Sequence, residues 1–453
     1  MKSYYSKGFI LVTGLVLALV ASACSLNTIK SGPSTAPAGE TDVKVSSSDT
    51  AKPQTTIKVY ISSDAINNEM EKIINDTFTA KTGIKVELVV VPGDDVYKKI
   101  DMDLASSVST IDVIPLANPL PLDQYVKKGF LLPLNELLEA ELYDADKIHG
   151  KYLTKYNGNI IYSLPESVSM WAVFYNKKIF DDAHVPYPPA EWTWSQYIDT
   201  AKKLTDPAKG IYGSYMLDFD IYMFMLAREH NVSAYKEDGT SNYDDPIFKE
   251  SLEFFGDLGN VHKIQPNWLD YKAKQLQWDG FMSGKYGMHF IGNWYTGLLT
   301  NEKDFPKEWK WGVTQIPTDG MGTNNFGVTY THAVNKYSAH PKEALAYVKF
   351  KAEYGAIIRG NIPALADPMA QEDSIKHIAE LSNGSVTVDE LSKAFFNNKL
   401  GYVQEKNIGP AAAEYSRIIL QESDLYLSGI NSLDDTIKAI KDKADAAILK
   451  EKQ

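Results

Sequence analysis

TIKVYISSDAINNEMEKIINDTFTAKTGIKVELVVV (residues 56–91) decides the fold. IKVYI (57–61) is an apolar-rich strand. From Asp64, the residues Ile66, Met70, Ile73, Ile74, Thr77 and Phe78 fall on one helical stripe, and Gly83 stands where a left-handed residue ends a helix. IKVELVVV (84–91) is a second strand. Working outward, Val96, Ile100 and Leu104 mark another helix at four-residue spacing, and IDVIPL (111–116) a third strand. Strands alternating with helices of this length predict a parallel sheet with right-handed crossovers. Ligands of such sheets meet the loops at the carboxyl ends of the strands, which here are 62–67, 92–95 and 117–121.

The 453 residues suffice for two or three domains, and a hydrophobic content of 44% is that of a globular protein. With 58 acids against 46 bases the net charge is −12, which argues against a nucleic-acid partner, since phosphate binding needs a basic face. Lys2 and Lys7 precede a mostly apolar run from Gly8 to Val20, too short to span a bilayer and patterned like a secretion signal. It ends in Ala21-Ser22-Ala23-Cys24. The triplet is read either as a cleavage site or as the approach to a lipid acceptor. Cys24 is the chain's one cysteine and follows directly on small residues, so lipidation of Cys24 is the expectation adopted. Residues 25–54, rich in Ser, Thr, Ala, Pro and Gly, cannot bury a core and read as a tether.

Further along, 159–165 and 171–175 read as two strands separated by the polar Glu166-Ser167-Val168-Ser169. Thr193 with Gln196 forms a capping box ahead of a helix, 211–217 is a strand, and a long apolar helix is expected from Ile221. Nucleophile-elbow, zinc-protease, phosphate-loop and calcium-loop motifs are all missing from the sequence, and the eight histidines show no metal-ligand spacing. His289, in an apolar run, reads as a core histidine. No metal or cofactor is expected. What stands out is 27 Tyr, 17 Phe and 8 Trp. Most must be core, but Trp171, Phe219, Trp294 and Tyr330 sit where a strand has ended beside glycine or polar residues. An aromatic face suits the C–H face of a pyranose, while Asp, Asn, Ser or Arg nearby can bond its hydroxyls.

Eight segments in order carry a resemblance: KTGIKVELV, SSVSTIDVI, KKGFLLPLNELL, LPESVSMWAVFYNKK, FMSGKYGMHFIGNW, WKWGVTQIPT, VNKYSAHPKEALAYVKF and RGNIPAL. Together the chain after the tether resembles the family 1 extracellular solute-binding proteins, the sugar-binding lipoproteins of ABC importers, of maltose-binding-protein-like plan. The resemblance implies an α/β, two-lobed periplasmic-binding-protein-like fold with a hinge and an inter-lobe cleft. It places a signal peptide at 1–23, a tether at 24–54, one lobe at 55–168 and 334–392, and the other at 169–333 and 393–453. By matching positions it implies ligand contacts at Asp64, Asn118, Ser169, Trp171, Asp218, Trp294, Tyr330 and Arg359, with Tyr415, in NIGPAAAEYSR, as a late aromatic position. At Ala65 and Leu116 the chain departs from the family's maltose receptors.

The function implied is that of a monomeric, lipid-anchored, non-enzymatic receptor at the extracytoplasmic face of the cell membrane, handing a sugar or oligosaccharide to an ABC permease. A carbohydrate-active enzyme or an adhesive lipoprotein on the same scaffold are the alternatives; turnover of a glycan, or failure of small sugars to bind, distinguishes them.

Overall fold

The computed structural model describes residues 55–62, 68–92, 95–106, 110–320, 323–396 and 398–452. Cys24, the leader, the tether and Asp64 lie outside the described residues.

The opening stretch folds as its pattern dictates. β1 (Thr56–Ser62) lies parallel to β2 (Lys85–Val91), in register from Thr56↔Lys85 to Ser62↔Val91, and parallel to β3 (Val113–Leu116) at Val59↔Val113. The intervening helix Asn68–Thr82 buries Ile74 and Phe78 and ends at Gly83, whose φ of 75° needs a residue without Cβ. The helix Val96–Ala105 buries the three residues of its four-residue series.

Beyond β3 the parallel expectation gives way to a mixed sheet. β4 (Ser163–Asn176) and β8 (Asn324–Val334) run antiparallel to each other, and β8 continues antiparallel onto β3 at Val113↔Val334. The other end of β4 pairs antiparallel with β6 (Tyr286–Gly292) and β7 (Trp311–Thr314), while β5 (Tyr212–Tyr215) is parallel to β6 and β9 (Gly401–Gln404) to β8. Order along the sheet is β2-β1-β3-β8-β4-β6-β5, with β7 on β4 and β9 on β8. The chain reverses direction because β4 and β8 are shared by both halves of the molecule.

The cores show the same sharing. Leu164 of β4 and Val334 of β8 belong to an apolar cluster with Ile57, Val59, Phe78 and Leu345, whereas Val168–Tyr175 of β4 and Phe326 of β8 belong to a larger cluster with Phe290, Tyr222 and Tyr415. A third cluster under the first half joins Ile100, Leu116, Leu122 and Tyr125. Ile362, Ile375 and Leu391 pack into the larger cluster, so the segment after Arg359 buries its apolar faces with the second half.

Two local expectations are corrected. Residues 166–169 are no connector: β4 is one strand of 14 residues, continuous because Val168 and Met170 between the polar positions are buried. The long helix expected from Ile221 is a 3-10 turn, Asp220–Met223, followed by a short helix, Met225–Glu229. Burial of Ile221, Tyr222, Met223, Phe224 and Met225 alike leaves that segment no polar face, so its apolar run reflects enclosure instead of a helical stripe. The capping box at Thr193 and Gln196 forms as read.

Candidate functional site

The site is assembled along the two shared strands. In their register Ser167 faces Tyr330 and Ser169 faces Val328. A closed ladder here requires small residues: a Cβ on Gly327 would lie 1.7 Å from the Ser169 carbonyl oxygen. Ser169 leads directly to Trp294. A Cβ on Gly292, the last residue of β6, would meet Ser169 Oγ at 2.6 Å and the Trp294 ring at 2.7 Å, so the three lie against one another. Trp294 is half-buried in the turn Asn293–Tyr295, which is tied back to β4 where Asn293 Nδ2 donates to the Val168 carbonyl at 3.3 Å.

From Ser167 the path runs the other way through Tyr330, also half-buried, whose ring meets that of His332 edge-on at 5.1 Å. Burial raises the Tyr330 hydroxyl pKa, Arg359 opposes this, and Glu166 and Tyr97 add to it. Tyr97 Oη in turn accepts the Ala117 amide at 2.8 Å. Asn118 follows immediately. The expected loop is short here, because Pro119 begins a helix and Asn118 Oδ1 caps it by accepting from the Leu120 amide at 3.0 Å. Ser167, Ser169, Tyr330, Gly292 and Trp294 therefore stand together at the crossing of the two strands, with Asn118 at the end of β3, the strand that pairs with β8. Tyr97 escaped the sequence reading because its neighbours Val96 and Ile100 dominate the helical pattern.

Other expected positions are spoken for by the protein itself. Trp171 is 3% exposed, enclosed by Tyr222, Phe290 and Phe326, and its indole nitrogen donates to Glu405 Oε2 at 2.7 Å. Tyr415 is fully buried; its hydroxyl donates to the Ala234 carbonyl at 3.1 Å and meets Ser241. Asp218 is exposed and accepts from the Tyr271 hydroxyl at 3.0 Å. Arg359 bonds with one end of its guanidinium to Glu166 and the other to Glu71.

That last arrangement belongs to a buried charge cluster beside Tyr330. Lys351 Nζ donates to Glu71 at 2.9 and 3.1 Å, and His332 Nε2 lies 2.5 Å from Glu166 Oε2. Burial alone would raise the Glu166 carboxyl, yet Arg359, Lys351 and His332 bring it down to about 2. Glu71 is likewise held well below the carboxylate range by Lys351 and Arg359 against its burial. His289 behaves as the core histidine it was read to be: its Nδ1 lies 2.9 Å from the Tyr215 carbonyl, and burial lowers its pKa to about 3. Among the described residues no group of acidic, His and Cys side chains could hold a metal ion, and no helix is long and apolar enough to cross a membrane.

Residues 63–355 match the family model for bacterial extracellular solute-binding proteins. A binding protein of Brucella abortus is 24% identical over 278 residues, covering 59% of this chain and 64% of that relative. The arabinooligosaccharide-binding protein of Halalkalibacterium halodurans is 25% identical over 229 residues, 48% of this chain and 50% of its own length. The chain thus spans less than two thirds of the length of either of these relatives. Among solved structures, the ABC substrate-binding protein of Listeria monocytogenes in complex with cycloalternan superposes with a TM-score of 0.76 at 23% identity, covering 87% of this chain and 99% of that one. The maltose/maltodextrin-binding domain of Bdellovibrio bacteriovorus bound to maltotriose gives 0.68 at 17%, covering 87% and 100%. At these identities the structural likeness speaks for the fold: a two-lobed α/β scaffold.

Proposed function

The chain belongs to the bacterial extracellular solute-binding protein family, and on that premise we propose that it captures a sugar or oligosaccharide outside the cell and presents it to the permease of an ABC importer. The observation that carries this reading is the crossing of β4 and β8, where Ser167, Ser169 and Tyr330 stand beside the half-buried Trp294 of the second half, with Asn118 at the end of β3 in the first. Trp294 offers a ring face, and Asn118, Ser167, Ser169 and the Tyr330 hydroxyl offer hydrogen bonds, the combination a pyranose requires. Asp64, outside the described residues, completes the set on the resemblance alone. Trp171, Asp218, Arg359 and Tyr415 serve the reading by fixing the walls through the contacts described above.

Several solved relatives were captured with carbohydrates, cycloalternan and maltotriose among them, and others with the polyols mannitol and ribitol, which favours a ligand rich in hydroxyls. The protein works as a receptor without turnover, anchored through Cys24 and monomeric. Binding is tested by a thermal-shift and calorimetric screen of mono- and oligosaccharides against the chain from Thr55, beside Trp294→Ala. A ligand at 100 times its Kd stabilises the folded state by about 2.7 kcal/mol, a readily measured shift. Absence of any saturable carbohydrate shift, or glycan cleavage by the purified protein, refutes the proposal.

A further inference from the structure

Glu166 is the extra residue of a β-bulge. Pro165 pairs with Thr331 and Ser167 with Tyr330, leaving Glu166 outside the β4–β8 ladder with its side chain re-aimed. Three chain segments that link the halves converge on it. The first is β4 itself. The second is β8, through His332 on Oε2. The third is the segment after Arg359: the Ala364 amide donates to the Glu166 carbonyl at 3.1 Å, the Val168 amide to the Ile362 carbonyl at 3.0 Å, and Arg359 holds Oε1. Glu71, from the helix after β1, closes the cluster through Lys351 and Arg359.

The helical run opposite is shaped for this carboxylate. Lys351, Gly355 and Arg359 follow at four-residue steps, so they share a face, and residues 351–355 form a π-bulge, a feature often found at functional positions. A Cβ on Gly355 would lie 2.6 Å from Glu166 Oε1. Its backbone is ordinary helix, φ −58° and ψ −48°, so glycine is present there for the carboxylate and not for its own conformation. Both charges of each sign are paired, and Glu71, Glu166 and Lys351 are buried, an arrangement that is costly to break by removing one partner.

We propose that Glu166 is the positioning residue of the hinge: it ties the three linking segments together at the edge of the first half, so that closure is a rotation beginning beyond it, at Ser167–Ser169, at Val328–Tyr330 and in the segment after Arg359, whose apolar side chains pack with the second half. The proposal rests on the capture reading above, because a hinge setting matters to affinity only if the halves close on a ligand.

The test measures the halves directly. In the full chain carrying Cys24→Ser, spin labels are placed at the exposed Glu136→Cys and Lys202→Cys, one on each half, and the distance distribution is recorded without sugar. Glu166→Gln is expected to widen and shift that distribution while circular dichroism stays unchanged, and to weaken carbohydrate binding by about fivefold or more. Gly355→Ala keeps every charge and suits the helix, so it displaces the carboxylate alone and reads the clamp even where Glu166→Gln fails to fold. Glu229→Gln, a buried carboxylate whose side chain bonds to Trp194 and the Asp319 amide within the second half, is the control with a wild-type distribution. Wild-type distributions in both Glu166→Gln and Gly355→Ala overturn the proposal. Because distances are read in the absence of ligand, a chain that binds no carbohydrate refutes the capture reading and still decides the hinge.

Discussion

The crossing between the halves and the core of the second half use the same residue types to opposite ends. At the crossing, Trp294 and Tyr330 are half-buried, and the carboxylate of Glu166 is matched by Arg359, Lys351 and His332. In the second-half core, Trp171 and Tyr415 are sealed by other rings, and the buried Glu229 has only neutral donors, Trp194 Nε1 at 2.9 Å and the Asp319 amide at 2.7 Å, on its oxygens. Burial consequently pushes the Glu229 carboxyl up to about 7, whereas Glu166 sits at about 2. A ring or an acid acquires a role from what surrounds it, so neighbouring glycines and polar residues in sequence are a weak guide to which aromatic meets a ligand.

The largest test of that contrast is Trp171→Ala. Emptying a closed aromatic site costs about 3–5 kcal/mol, which chemical denaturation will register as a lowered midpoint. Trp294→Ala is expected to do the reverse. Stability falls by less than about 1 kcal/mol, in keeping with a half-buried ring, while carbohydrate affinity drops about tenfold or more, equal to ~1.4 kcal/mol by calorimetry. Equal stability losses for the two variants would erase the distinction.

Asn118 sharpens it on the first half. Asn118→Ala loses the helix cap and should cost about 1 kcal/mol of stability. Asn118→Asp keeps a capping oxygen and removes the amide donor, so a loss of affinity with stability retained assigns the side chain to ligand as well as to the helix.

The smallest effect concerns pH. His289, with a folded pKa of about 3 against 6.5, supplies stability that is full above 6.5 and declines as pH falls toward 3. Glu229, raised from 4.5 to about 7, has the opposite sign: its contribution is present below 4.5 and lost as pH rises through 7. Between pH 7 and 4.5 the two oppose each other, while His149 and His332, also lowered by burial, act with His289. Below 4.5 the contribution of Glu166, lost as pH falls toward 2, steepens the decline. Urea midpoints measured at pH 7, 5.5 and 4.5 should fall more steeply with acid for Glu229→Gln than for the native chain, because the substitution removes the offsetting member.

Local pattern sufficed for the β1–β3 half, because there each strand and helix buries one face against its sequence neighbour; Ile57, Ile74, Phe78, Ile100 and Leu104 are core residues at their read positions. The capping box at Thr193, the core role of His289 and the family resemblance were equally available from residue type and spacing. Tertiary structure alone decided that residues 163–176 form one strand, that Glu166 leaves its ladder, and that Lys351, Arg359 and Glu71 gather around it from distant positions. It also decided which aromatics stay open at the crossing and which close into the core. The physical reason is range: side-chain periodicity reports on contacts within a helix or between adjacent strands, whereas charge pairing and burial at a shared strand depend on segments up to 288 residues apart, as for Arg359 and Glu71.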